Sequence, residues 1–319
     1  RKNEWHTEVS GDLYGDFSKE NQKLEIDRAL ELEDKKTTAI FNNIEKAFDT
    51  ILKQNIKKDS YFKLRMGLIS TKLEDVELNS SEKDTLTRDE KLMKEKESFS
   101  KRRKRIITNI ISVLFEKEML SISVLKKSNR YDFERVDFTY FSNTPVYILK
   151  FKPSGNEDFA GKLYIDADEM TLLRAEYKNI KDIRDISLLG FSFKHYFKEI
   201  AIQFKKTTSG KYALQYLEAI DQFETGVNRA FSILEKNKVV KGRNKQNELK
   251  MELNFRTNQF QKYQMVVFES ERITQEIFDA FKEKPSILPV NLIQYDPTFW
   301  EGYTIIEPNQ VIKKFKVEK

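Results

Sequence analysis

From about Tyr131 to Tyr303 the chain is a series of short segments in which apolar and polar residues alternate, joined by tight polar turns. Tyr147, Leu149 and Phe151 alternate with Ile148, Lys150 and Lys152, and the run Gly161-Lys162-Leu163-Tyr164-Ile165-Asp166 follows one turn later. A period of two sends successive side chains to opposite faces of a strand, so such a segment buries one face by joining a sheet. The pattern predicts strands over 133–141, 145–152, 162–167, 172–177, 192–205, 211–220, 251–256 and 263–269. Asn143-Thr144-Pro145, Ser154-Gly155-Asn156 and Thr208-Ser209-Gly210 supply turns. Ile200, Ile202 and Phe204 are expected on one face, and Tyr212, Leu214 and Tyr216 on another. So many consecutive strands with so few helices between them exclude a βαβ architecture. The content of 24 Phe and 13 Tyr suits pleated, half-buried surfaces.

The first half reads differently. Residues 1–36 are polar, with Gly11 and Gly15, and are expected to be an extended leader or linker with a short helix starting near Asn21. Over 37–56 an apolar stripe of Ile40, Phe41, Ile44, Ala47, Phe48, Ile51 and Leu52 recurs at helical spacing, with Thr37 or Thr38 as N-cap. Its polar side carries both signs of charge, which favours packing on a sheet over lying on a membrane. A strand is expected over 61–72, a loop at Asn79-Ser80-Ser81, and mostly helix over 88–120. The run Lys101-Arg102-Arg103-Lys104-Arg105 is the densest charge block, and Ile106, Ile107, Ile110, Ile111, Leu114 and Phe115 follow it at helical spacing. A solvated helix face is the preferred reading of this run over a phosphate or anionic-lipid contact, because only Phe99 lies near enough to stack. The last forty residues carry Pro285, Pro289, Pro297 and Pro308 and the aromatics Tyr295, Phe299, Trp300 and Tyr303. They are expected to wrap back on the sheet and end in a short helix near Asn309.

The chemical inventory is short. The chain has 2 His and no Cys, which removes disulfides, thiol catalysis and thiolate metal sites. His6 lies in the polar leader, and His195 alternates with Phe193 and Phe197 as a half-buried face residue. Asp166, Asp168 and Glu169 lack the spacing of a calcium loop and are expected to form a hairpin turn. Gly155 and Gly161 make no phosphate loop, and Gly242-Arg243-Asn244-Lys245 reads as a solvated basic turn. No catalytic, cofactor-binding or metal-binding residue is nominated, and no cofactor is expected. The net charge of +6, from 57 basic and 51 acidic residues, is too small and too dispersed for nucleic-acid binding as a main task. No apolar run is long enough to span a bilayer, and a start at Arg1 without a signal peptide is read as a processed chain.

The order helix, strand, loop, then Tyr147 to Pro153, Gly161 to Asp166, Arg174-Ala175-Glu176-Tyr177, Tyr295 to Tyr303 and Ile306-Glu307-Pro308-Asn309 resembles a group of bacterial envelope proteins. These are described as carboxypeptidase-like regulatory domain-containing, and their larger region is similar to the LolA/LolB lipoprotein-carrier fold. The resemblance covers roughly residues 37–319. It implies an α+β, mainly antiparallel β fold: a strongly curved sheet, or incomplete β-barrel, closed by helices. Residues 37–319 would form this single domain, with a helical charged insertion at about 73–120. The resemblance further implies a periplasmic or outer-membrane-associated location, membrane-peripheral at most, and an apolar concavity for a lipid or lipoprotein acyl chain. The expected function is therefore a non-enzymatic envelope binding protein, with the apolar faces of 146–151, 200–204 and 212–216 as its lining. Two alternatives stand beside it: an interaction module that docks another envelope protein, and, ranked last, a hydrolase built on a carboxylate pair.

Overall fold

The computed structural model describes residues 4–15, 22–33, 59–66, 69–73, 87–116, 119–141, 143–240, 244–283, 287–306 and 310–313. The helix expected over 37–56 and the loop at Asn79-Ser80-Ser81 lie outside them.

Alternation in the second half folds into one large antiparallel sheet. A meander of β7 (Tyr131–Phe141), β8 (Thr144–Pro153), β9 (Phe159–Asp166) and β10 (Leu172–Asn179) leads to β12 (Phe191–Lys206) and β13 (Tyr212–Asn237). Beyond β13 lie β3 (Ser60–Met66) and β4 (Ile69–Leu73), and β14 (Lys245–Val266) runs along β13 on its other side. A short β11 (Arg184–Leu188) pairs with the start of β12, which completes ten strands. The strand β13 has 26 residues, so at about 3.3 Å per residue it runs for roughly 85 Å before any allowance for twist. On one side it pairs with β12 through Phe191↔Val227 and then with β3 from Ser232↔Arg65. It is the spine of the sheet.

A single long helix, α1 (Arg88–Leu114), lies on one face of this sheet. It starts at a capping box: Glu90 N donates to Thr87 Oγ1 at 3.2 Å, and Thr87 N donates to Glu90 Oε2 at 2.7 Å. Its C-terminal half packs Ile107, Ile110, Ile111 and Leu114, followed by Phe115, onto Phe151, Leu163, Ala175, Tyr177, Ile200, Ile202, Leu217 and Ala219. These sheet residues come from β8, β9, β10, β12 and β13, so one helix ties five strands into one core. Phe115 turns extended at the end of α1, where its ring packs edge-on to Phe204 at 6.3 Å.

The N-terminal half of α1 holds a second, smaller sheet. Residues expected to form a polar leader instead make a hairpin, β1 (Trp5–Gly15) and β2 (Gln22–Glu33), and β15 (Val290–Leu292) adds a parallel strand. The helix expected near Asn21 is thus not found over Gln22–Glu33. The hairpin forms because β2 is buried on both faces, Ile26 and Ala29 against Phe99 of α1, and Leu30 and Leu32 against Trp300. Gly11 sits at a register shift, where a Cβ would come 2.0 Å from the Glu25 carbonyl oxygen. The last aromatics do wrap back, but onto this small sheet: Leu292, Tyr295 and Phe299 pack with Leu30, Leu32 and Trp300. The Arg28 guanidinium lies 4.4 Å from the Phe299 ring centre.

The fold therefore corrects the expected class. Among the described residues strand makes up 59% and helix 19%, the sheets are open, and no barrel closes. This is a mostly-β fold, not an α+β half-barrel closed by helices. Two physical causes account for the difference. The hairpin at 5–33 buries only a few apolar residues, so its strand character is faint in sequence. Segments expected as separate short strands, 251–256 and 263–269, are parts of one 22-residue strand, β14. The strand expected over 61–72 is the hairpin β3–β4. The expected face shared by Tyr212, Leu214 and Tyr216 is also broken, because a register shift between Gln203 and Phe204 puts Leu214 opposite Phe204 and Tyr216 opposite Gln203.

Because Leu114 is 1% exposed and sits where α1 meets the sheet, Leu114→Ala is expected to cost about 2–5 kcal/mol. A urea unfolding midpoint shifted down with the slope unchanged would check this.

Candidate functional site

Four side-chain groupings outside the core could carry a function. The first is the β9–β10 turn. Asp166 Oδ1 accepts from the backbone N–H of Asp168 at 2.9 Å and of Glu169 at 3.0 Å, which closes the turn. Tyr212 Oη donates to Glu169 Oε2 at 2.8 Å, and Lys206 Nζ pairs with the same Glu169. The backbone N–H of Glu169, together with that of Asp168, holds the Asp166 carboxyl below its usual range despite burial. Lys206 and Tyr212 do the same for Glu169. Burial, and then the two carboxylates, push the Tyr212 phenol up. Every acceptor here is engaged by the turn itself.

The second is His195. Its Nε2 lies 2.8 Å from Asp221 Oδ1, without the alignment of a hydrogen bond, and Lys198 Nζ donates to the same oxygen at 3.0 Å. A register shift between His195 and Phe197 sets His195 opposite Phe223 and Phe197 opposite Gln222. Phe197 thus leaves the face that His195 shares with Phe193, contrary to the alternation expected. His6 pairs with Glu8 at 2.9 Å inside the hairpin.

The third is the basic run of α1. It is less solvated than expected: the Arg103 side chain is only 13% exposed. Arg102 and Arg103 reach Glu31 of β2 at 3.7 and 3.9 Å, and both lie over the Trp5 ring. Lys104 pairs with Glu283 at 2.6 Å. Burial, then the neighbouring Arg102, push the Arg103 guanidinium below its usual value. The run docks the small sheet.

The face of the large sheet opposite α1 is polar. Arg174 donates to Glu176 and Gln203, and Gln203 to Gln215. Farther along, Tyr216, Gln264 and Lys262 converge on Glu218 and keep its carboxyl low against the desolvation that would raise it. Among the described residues no group of three or more His, Cys, Asp or Glu side chains is placed to hold a metal ion.

The fourth grouping is apolar, and it lies on the α1 side of the sheet beyond the reach of the core clusters. In-register pairing lines up Leu188, Phe191, Val227 and Phe255 across β11, β12, β13 and β14. Ile186 pairs with Phe193 in the next row. Leu188 is 65% exposed, Phe191 46% and Phe255 45%. Between Leu188 and Phe191 the chain turns on Leu189 and Gly190 alone, with φ of 52° and 82°. Positive φ at both central residues is the requirement of a type I′ hairpin turn, which Asn and Gly satisfy cheaply. A leucine there costs on the order of 1 kcal/mol, and this one leaves its side chain 57% exposed. The turn is pinned: Asn228 N donates to the Gly190 carbonyl at 2.7 Å, and Arg229 Nη1 to that of Leu189 at 2.5 Å. Lys194 and Arg256, which neighbour the row in sequence, alternate to the opposite face of the sheet, where they pair with Asp182 at 2.7 Å and Glu224 at 3.2 Å.

The candidate lining for an acyl chain lies elsewhere. Leu149, Phe151, Ile200, Ile202, Phe204 and Leu214 belong to the core that α1 and its flanking residues fill. Val146 and Ile148 are buried too, at 0 and 9% exposure. An open depression of about 460 Å³ lies at the far edge, lined by Arg135, Val136, Asp137, Phe138 and Tyr147. The apolar row was missed in sequence, although Leu188-Leu189-Gly190-Phe191 is itself the signal: three large apolar residues around a glycine turn. Comparison of the chain with protein-family models, with curated proteins and with solved structures finds no match.

Asp166 is 4% exposed, and Asp166→Ala strips two backbone N–H groups of their acceptor, so it is expected to cost about 1–3 kcal/mol at neutral pH. Its folded pKa is depressed, so this stability is present above the unfolded value near 4 and is lost as pH falls through the folded value. Urea titrations at a series of pH values should show wild type and variant converging at acid pH.

Proposed function

We propose that this protein is a non-enzymatic interaction module whose working surface is the apolar row at the end of the long sheet. The observation that carries this reading is the turn at Leu189. A tight turn where Asn or Gly would be cheaper instead carries a leucine, flanked by the exposed Leu188 and Phe191. Strain of this kind persists where the exposed side chain has a use.

The surroundings favour a protein partner. An apolar patch that contains the aromatic residues Phe191 and Phe255 is the composition of the core of a protein–protein contact. A lipid surface would favour an excess of basic residues on the same face, whereas Lys194 and Arg256, the row's neighbours in sequence, alternate to the other face. The acyl-chain reading needs a hollow, and the sheet face where one was expected is packed by α1. A location in the bacterial envelope is part of the proposal and rests on the sequence resemblance alone. Burying three or four of these side chains would contribute roughly 5–10 kcal/mol gross, less the cost of association.

Leu189→Asn separates stability from binding. It relieves the turn and is expected to raise folding stability by about 1 kcal/mol, while it weakens partner capture. A photo-crosslinking phenylalanine analogue at Leu188 should form a protein adduct in cells, and the same analogue at the exposed Lys205 of β12 should not. Flotation of the purified chain with phosphatidylcholine–phosphatidylglycerol vesicles, abolished by Leu189→Asn, would overturn the protein reading in favour of lipid.

A further inference from the structure

The two long edges of the large sheet are built differently. β7 closes one end and is blunted: its ladder to β8 breaks between Arg135 and Asp137, and Asp132, Glu134 and Asp137 line it with carboxylates. Such breaks and charges are how proteins keep an edge from pairing. β14 closes the other side and is regular over most of its length: its one register shift lies at its start, between Lys245 and Asn247, and its charges, Lys245, Glu248, Lys250, Glu252, Arg256 and Lys262, are of both signs. Its ladder to β13 runs from Val266 to Asn247 without a register shift, it contains no proline, and among the described residues it has no second partner strand. Most of its residues are exposed, including Leu253 at 44%, Phe255 at 45% and Phe260 at 63%. A long, regular, part-apolar free edge is a template for strand addition.

The centre of β14 also fits itself. It reads Glu252-Leu253-Asn254-Phe255-Arg256. In an antiparallel pair whose two-fold axis stands perpendicular to the sheet at Asn254, Glu252 faces the second copy's Arg256, and Leu253 faces the second copy's Phe255. Lys250 then faces Asn258, Glu248 faces Phe260, and no like charges meet. Registers centred on residue 252, 253 or 256 fail, because they oppose Glu252 to itself, Lys250 to Arg256, or Arg256 to itself. A register centred on Phe255 sets Glu248 against Lys262, but these already pair within the chain, with Lys245 at 2.5 Å and Glu218 at 2.9 Å. Arg256 has one partner, Glu224 at 3.2 Å, and remains 71% exposed, with room for a second carboxylate.

We infer that this edge is a homodimer interface: two copies join β14 to β14 antiparallel about Asn254, and their sheets become one continuous sheet. The perpendicular axis keeps the α1 faces on the same side, so the row Leu188–Phe191–Val227–Phe255 of one copy continues onto Leu253 of the other. The inference rests on the edge and its charges, not on the proposed partner of the apolar row, and either can fail alone.

The absence of native cysteine gives a site-specific test on the full chain. Opposed residues in an antiparallel pair stand about 4.5–5.5 Å apart at Cα, within disulfide range. Asn254→Cys should therefore oxidise to a covalent dimer, whereas Asn258→Cys, far from its own copy, should not. Sedimentation equilibrium should give twice the chain mass for wild type. Glu252→Arg sets guanidinium against guanidinium twice per dimer and should weaken association at least about tenfold. Adding Arg256→Glu to it restores opposite charges and should restore the dimer, with far-UV circular dichroism confirming that all variants fold. A wild-type chain that stays monomeric, a dimer indifferent to Glu252→Arg, or equal crosslinking at positions 254 and 258 would each overturn the inference.

Discussion

The packing of one helix face against five strands organises this molecule. Ile107, Ile110, Ile111 and Leu114 of α1 enter the main core, where they pack with side chains from β8, β9, β10, β12 and β13. Without that stripe the sheet would show a broad apolar face to water. Because a sheet face and an amphipathic helix each need a cover, α1 and the sheet complete one another. The same helix continues past the sheet, where Phe99, Arg102 and Arg103 hold the small hairpin sheet through a buried ring and a shared carboxylate, Glu31. Its two halves thus serve two sheets.

That arrangement also decides where function can sit. The helix covers the sheet only as far as its C-terminal half reaches, and β12, β13 and β14 run on beyond it. The uncovered part of the same face is where the exposed row Leu188, Phe191 and Phe255 lies. The opposite face is stitched by side-chain hydrogen bonds such as Arg174 to Gln203 and Gln264 to Glu218, so it needs no cover. Part of the exposed apolar surface therefore lies at this end, next to the long edge strand β14.

Much of the large sheet was legible from alternation. The segments at β7, β8, β9, β10 and β12 were readable because their polar turns bound them closely and one face is buried. The 26-residue β13 and 22-residue β14 were cut short, because β14 is exposed over most of its length and β13 carries a polar middle, with Asp221, Gln222 and Glu224, so both lose the period there. β1 and β2 were read as a leader for a different reason: their burial depends on Phe99 and Trp300, which lie far away in sequence. The candidate surface was harder still. Leu188, Leu189 and Phe191 look like core residues in sequence, and only their exposure distinguishes them.

By itself the sequence determined a β-rich chain with a mostly helical stretch over 88–120, of which α1 takes 88–114, a tight carboxylate turn at Asp166, and no thiol chemistry. Periodicity and turn chemistry are local, so local residues were enough. The tertiary structure alone decided that the sheet stays open, that α1 fills the face where a hollow was expected, and that Arg102 and Arg103 of the basic run reach the hairpin while Lys101 and Arg105 stay exposed. It also set the free edge of β14 and the exposed row side by side. Each of these depends on which distant surfaces meet, and a residue's own neighbours in sequence carry no record of that.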